Sequence, residues 1–277
     1  AQSESWADLP QTKNKRYDYL LKKIIDNFAT ISATFEDEYI FCWLDWDGDN
    51  ILMDGGIIDY GSIRQFGLLH HEYKYDDVER FSTSILEQKS KAKYMVQNFI
   101  QIIDYLKTGE KKNLNEFADD SALIEFESIY ELRKKENILN RIGFSPKKAK
   151  QIIKREEKTI ENFQKVFSYF ERSKTKEGIV EISDGKTCDA IFNMRNILRD
   201  LPQVLLAEQR DLTEEEFLEV IASAFATDED LEMTSYRRSK IKEFQKYYRK
   251  LVKSCSQIFQ EDIQDTLLNM STRSQFV

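Results

Sequence analysis

Only nine glycines and three prolines interrupt 277 residues. These are the residues that most often stop or kink a helix, so their scarcity predicts a mostly α-helical body. The apolar spacing agrees. Tyr17, Leu20, Leu21, Ile24, Ile25, Phe28 and Ile31 recur at threes and fours, which predicts an amphipathic helix over 15–33. Further helices are expected at 82–106, started by Ser82 or Thr83 and stopped by Gly109, and at about 113–138, 146–173 and 186–200. Pro146 suits the first turn of its helix, where a missing N–H costs little. Thr213 with Glu216 forms a capping-box pattern, and a last long helix is expected over about 235–262. Ile179 to Ile182 reads as a short extended stretch ended by Asp184-Gly185.

One segment breaks the helical pattern. Tyr39 to Trp43 reads as a short buried strand that leads into Leu44-Asp45-Trp46-Asp47-Gly48-Asp49-Asn50. Ile51-Leu52-Met53, Asp54-Gly55-Gly56 and Ile57-Ile58 then read as strand, tight turn and return strand, because Asp-Gly between apolar runs is a hairpin signal. Asp59-Tyr60-Gly61 follows. Such a hairpin would bring Asn50 and Asp59 side by side, and an amide oxygen with a carboxylate is the kind of sparse oxygen set that magnesium takes beside nucleotide phosphates. Asp45 stands five residues before Asn50, the separation of base and metal ligand in the kinase loop. Asp49 is adjacent to that ligand. Both are therefore candidates for the base that orients an attacking hydroxyl. Arg64 would either reach a phosphate or brace the loop.

These residues resemble the selenoprotein O family, kinase-fold enzymes that transfer AMP from ATP to protein hydroxyls. Asp49-Asn50 and the nine-residue step to Asp59-Tyr60-Gly61 carry the likeness, supported by Arg80-Phe81-Ser82 and Glu87-Gln88 downstream. The resemblance implies a protein-kinase-like C-lobe with a short β-hairpin at the metal site and an all-helical C-terminal extension. It implies Asp49 as base, Asn50 and Asp59 as metal ligands, ATP and magnesium as cofactors, and a protein substrate with Ser, Thr or Tyr hydroxyls. Trp43-Leu44 stands where the family has His-Gly, Asp47-Gly48 replaces Asn-Thr, and Ser62-Ile63-Arg64 follows Asp-Tyr-Gly where Pro-Phe-Gly is usual. Two alternatives follow: a phosphotransferase acting on a small molecule or protein, and a non-catalytic helical binding module that keeps the site as a remnant.

The expected organisation is a C-lobe core over 1–110 and a helical part of the same lobe over 111–277. The 42 residues before Trp43 hold no glycine, so the phosphate-covering glycine loop, strand lysine and helix glutamate of an N-lobe are expected outside this chain, and the isolated chain should bind nucleotide weakly.

Composition excludes several other classes. Charged residues at 32% beside hydrophobic ones at 41% describe a folded chain rather than a disordered one. No apolar run approaches the roughly 18 residues a bilayer demands, and no secretion signal is present, so no membrane partner and a cytoplasmic location are expected. Cys42, Cys188 and Cys255 lack C-x-x-C spacing and read as free thiols. A calcium loop counted from Asp45 would need Gly at its sixth position and Glu at its twelfth. Asn50 and Gly56 stand there instead. His70-His71-Glu72 reads as a surface or bracing segment, and Arg80 as an ion-pair partner of Asp76 or Asp77. A net charge of −8 argues against nucleic acid as the main partner. One segment runs against it: Arg237, Arg238, Lys240, Lys242, Lys246, Arg249, Lys250 and Lys253 crowd one helix. Phe244, Tyr248, Leu251, Cys255 and Ile258 recur there at helical spacing, so the aromatics read as core and the bases as a solvated face, with a dock for an acidic partner as the alternative.

Overall fold

The computed structural model describes residues 10–38, 42–43, 50, 52, 63–64, 88–173, 180–182, 185–187 and 190–275, which are mostly helical. Among them two compact units are distinguished, the first reaching Arg133 and the second beginning at Lys134. No helix among the described residues is long and apolar enough to cross a membrane.

In the first unit α1 (Lys13–Glu38) and α2 (Gln88–Thr108) pack together. The predicted apolar stripe of α1 is the buried face: Ile24, Ile25, Phe28, Ala29 and Ala33 meet Ala92, Val96, Phe99 and Ile100 of α2. The Phe28 and Phe99 rings lie 5.8 Å apart. The alanines keep the two backbones close, and the aromatic pair fills the space between them. The stretch expected as one helix over 113–138 divides. Asn113 caps a 3₁₀ turn at Leu114–Phe117 through a capping box with Glu116, and α3 (Ser121–Arg141) begins only after it. Asn113 and Asp119-Asp120 satisfy nearby backbone more easily than they continue a helix. Gln97 and Gln101 hold this connection by donating to the Leu114 and Lys112 carbonyls at 2.9 and 2.8 Å.

The second unit is built on α4 (Pro146–Glu171), α5 (Met194–Glu208), α6 (Glu214–Ile221), α7 (Ser235–Phe259) and α8 (Ile263–Ser274). Ser145 caps α4 with Pro146 in its first turn, and Thr213 with Glu216 forms the expected capping box on α6. Arg210 and the Thr213 N–H hold the Glu216 carboxyl down at about 2. Three boundaries differ from expectation. Val180–Ile182 (β3) pairs antiparallel with Gly185–Thr187 (β4), so the helix expected from 186 starts at Met194, capped by Asn193, and it continues past Pro202 to Glu208. The helix expected to reach 262 stops at Phe259, because Gln260 adopts a left-handed conformation (φ 53°) that sequence reading assigns to glycine. Asp262 then caps α8, which was not anticipated.

Phenylalanine dominates the second core. Phe163, Phe167, Phe170, Phe217 and Phe244 interlock, with ring centroids 4.9 to 6.4 Å apart. Tyr248 lies among them, fully buried, and its hydroxyl has no hydrogen-bond partner among the described residues. Burial alone pushes its phenol far above the ordinary tyrosine value. An unpaired buried hydroxyl costs about 1–3 kcal/mol, so Tyr248→Phe should stabilise the protein by about 1 kcal/mol. A chemical-denaturation midpoint that falls instead would show the hydroxyl to be satisfied in solution.

Candidate functional site

Two strands frame the acidic segment. Cys42–Trp43 (β1) pairs antiparallel with Ile63–Arg64 (β2), Cys42 opposite Arg64 and Trp43 opposite Ile63. α1 contacts β1, so this ladder is attached to the α1–α2 pair. Paired strands lie about 4.8 Å apart, so Trp43 and Ile63, which flank segment 44–62, lie side by side. That segment contains Asp45, Asp49, Asn50 and Asp59.

The individual residues are reached unevenly. Asn50 is described and half-buried. Asp45, Asp49 and Asp59 lie outside the described residues, as do the Asp54-Gly55-Gly56 turn, His70-His71-Glu72, Arg80 and the Ser82–Thr83 cap. The backbone of Arg64 belongs to β2. Leu52, expected within the first hairpin strand, is in no strand and is 49% exposed. Among the described residues no group of three or more His, Cys, Asp or Glu side chains is arranged to hold a metal ion.

Charge pairing links α2 and α3. Lys89 of α2 reaches Glu127 and Glu131 of α3 at 2.5 and 3.1 Å, and lies 4.5 Å from the Tyr130 ring. Lys93 reaches Glu127 at 3.0 Å. Burial pushes Glu127 upward, but the hydrogen bonds from Lys89 and Lys93 outweigh it and hold the carboxyl below its ordinary value.

The basic segment of α7 looks different once folded. Phe244, Tyr248, Leu251 and Cys255 are fully buried, as the spacing predicts. Most of its cations are neutralised within the molecule: Arg238 and Lys242 by Glu214, Lys240 by Glu243, Arg249 by Asp211 and Lys250 by Glu156. Arg237 donates to the Asp230 and Glu232 carbonyls. The α7 face is therefore a largely braced surface, with Lys246 and Lys253 exposed and without an ion-pair partner among the described residues. Glu156 interrupts the helical geometry of α4 (φ −121°, ψ 26°) and accepts from Thr159, Lys250 and Ser254. Burial raises its pKa, yet these donors leave it below the usual carboxylate range.

A cleft of about 300 Å³ also opens in the second unit, lined by Gly143, Lys148, Glu261, Thr266, Asn269 and Arg273 among others. Lys148 and Glu261 form an ion pair across it. No sequence signal marks this cleft, because its residues come from three separate chain segments. Neither family models, nor curated proteins, nor solved structures give a match to this chain.

Proposed function

We propose that segment 44–64 forms the metal-binding half of a kinase-like site that uses ATP and magnesium to transfer AMP to a Ser, Thr or Tyr hydroxyl of a protein. The observation that carries the reading is the antiparallel pairing of Cys42–Trp43 with Ile63–Arg64. It brings together the flanks of the two motif halves, Asp49-Asn50 and Asp59-Tyr60-Gly61, which is what a shared ion requires. The kinase-like C-lobe and the cytoplasmic location belong to the same proposal.

The residues fit the cofactor by donor chemistry: the Asn50 amide oxygen and the Asp59 carboxylate are hard oxygen ligands suited to magnesium. Bound there, the ion would neutralise phosphate charge. Asp49, or Asp45 by kinase spacing, takes the proton of the attacking hydroxyl as its oxygen bonds to the α-phosphorus. The bond to the leaving pyrophosphate breaks. Arg64 would offset charge on the phosphates. Placement and electrostatics supply most of the rate effect in chemistry of this kind.

Incubation of the full-length parent protein, including the N-lobe expected outside this chain, with α-labelled and γ-labelled ATP tests the reading. Label retained on protein from the α position supports AMP transfer. Label from γ alone indicates a phosphotransferase, and neither indicates a binding module. Asp59→Ala should lower magnesium-dependent transfer by about 10²–10³-fold, the range for removing one group that stabilises transition-state charge. Unchanged magnesium dependence in that variant would sink the metal assignment, and comparing Asp45→Ala with Asp49→Ala identifies the base.

A further inference from the structure

The longest row of free positive charge in the second unit lies on α4; the α7 segment that the sequence singles out keeps only Lys246 and Lys253 exposed and without an ion-pair partner among the described residues. Lys147, Lys150, Lys154, Lys158 and Lys165 recur at three, four, four and seven, and all five are exposed. None has an ion-pair partner among the described residues. The opposite face of α4 buries Ala149, Ile152, Thr159, Ile160, Phe163, Val166 and Phe170 at threes and fours on both sides of the Glu156 kink. The lysines thus stay on one face along the whole helix.

Counter-charge is available on α4 but already taken. Its four acids are Glu156, Glu157, Glu161 and Glu171. Lys250 holds Glu156, Lys135 holds Glu157 and Glu161, and Arg141 holds Glu171. Each carboxylate of α4 is engaged by a cation from another helix, Lys135 serving two of them, and none pairs with the lysine row. At 1.5 Å per residue the row runs about 27 Å along the helix axis.

We propose that this row is a docking surface for the phosphate backbone of duplex nucleic acid, bound without sequence preference. Lysine is a strongly hydrated point charge, and it is depleted at protein–protein interfaces, where such groups must be dried. A phosphate backbone lets the ammonium groups stay hydrated while condensed counterions are released. The row carries no aromatic platform of the kind that holds single strands. A membrane surface helix would present an apolar face, and that of α4 is spent in the core. The chain-wide charge of −8 averages over the molecule, whereas binding responds to charge within a Debye length of about 10 Å.

Fluorescence anisotropy with a labelled mixed-sequence DNA duplex tests this. With about three to five phosphates neutralised, affinity should fall about 40- to 500-fold between 50 and 200 mM salt. Combining Lys150→Gln, Lys154→Gln and Lys158→Gln should abolish most of the binding, Lys→Arg at the same positions should retain it, and Lys242→Gln on α7 should change nothing. Circular dichroism confirms that each variant is folded. The proposal is overturned by absence of saturable binding at 50 mM salt, by wild-type affinity in the triple Gln variant, or by tighter binding to phosphatidylserine vesicles or polyglutamate than to the duplex.

Discussion

Gly143→Ala should be among the most damaging single substitutions in the second unit. Gly143 closes α3 with φ +100°. Its N–H bonds to the Asn140 carbonyl and the Phe144 N–H to that of Leu139, at 3.0 Å each, the Schellman pattern that satisfies two terminal carbonyls. A methyl group added there would lie 2.5 Å from the Met270 carbonyl oxygen and 2.8 Å from its Cα. Both atoms are backbone of α8, so no flexible side chain can swing aside. Strained backbone costs about 1–3 kcal/mol and overpacking about 1–3 more, which predicts a loss of about 2–6 kcal/mol. Gly109 provides the control. It ends α2 with φ +76°, but nothing lies within 4 Å of its missing Cβ. Gly109→Ala should therefore show the conformational cost alone. Equal losses for the two variants in urea denaturation would mean that the Met270 contact contributes nothing.

Gln245→Leu should cost about 2–4 kcal/mol, because one buried amide serves two backbone groups and each group left unpaired costs about 1–3 kcal/mol. Gln245 of α7 accepts the Leu212 N–H at 2.8 Å and donates to the Leu212 carbonyl at 3.0 Å. Both residues are buried. The clamp fixes the chain just before Thr213, the cap of α6, so its loss should also loosen α6. Hydrogen exchange on α6 amides reports that loosening. Gln245→Glu retains the acceptor and removes the donor, placing a carboxylate against the Leu212 carbonyl, and should be worse than leucine. A leucine variant within about 0.5 kcal/mol of the parent would show that water replaces the amide.

Much of the helical frame was legible because it rests on local rules. The stripe of α1, the proline at the start of α4 and the capping box of α6 each depend on residues a few positions apart. Reading failed where a residue acted out of type: Gln260 adopts the left-handed geometry usually left to glycine, and Pro202 sits inside α5. The candidate site was legible as a motif, since Asp49-Asn50 and Asp59-Tyr60-Gly61 form a short-range pattern. Its frame was not. Pairing of Cys42–Trp43 with Ile63–Arg64 is a backbone choice across some twenty positions, and no side-chain alternation announces two-residue strands.

Sequence by itself determined that this chain is mostly helical, which faces of α1 and α7 turn inward, and which acidic segment invites a chemical reading. Periodicity and capping act over one or two turns and need no knowledge of neighbours. Tertiary structure alone decided where charge remains free. Ion pairing joins residues far apart in the chain, as in Arg249 with Asp211 or Lys250 with Glu156. Two lysine-rich helices that look alike as sequence therefore end differently, α7 mostly neutralised and α4 with an open row. Coulomb attraction depends on distance in space, and only the fold sets that distance.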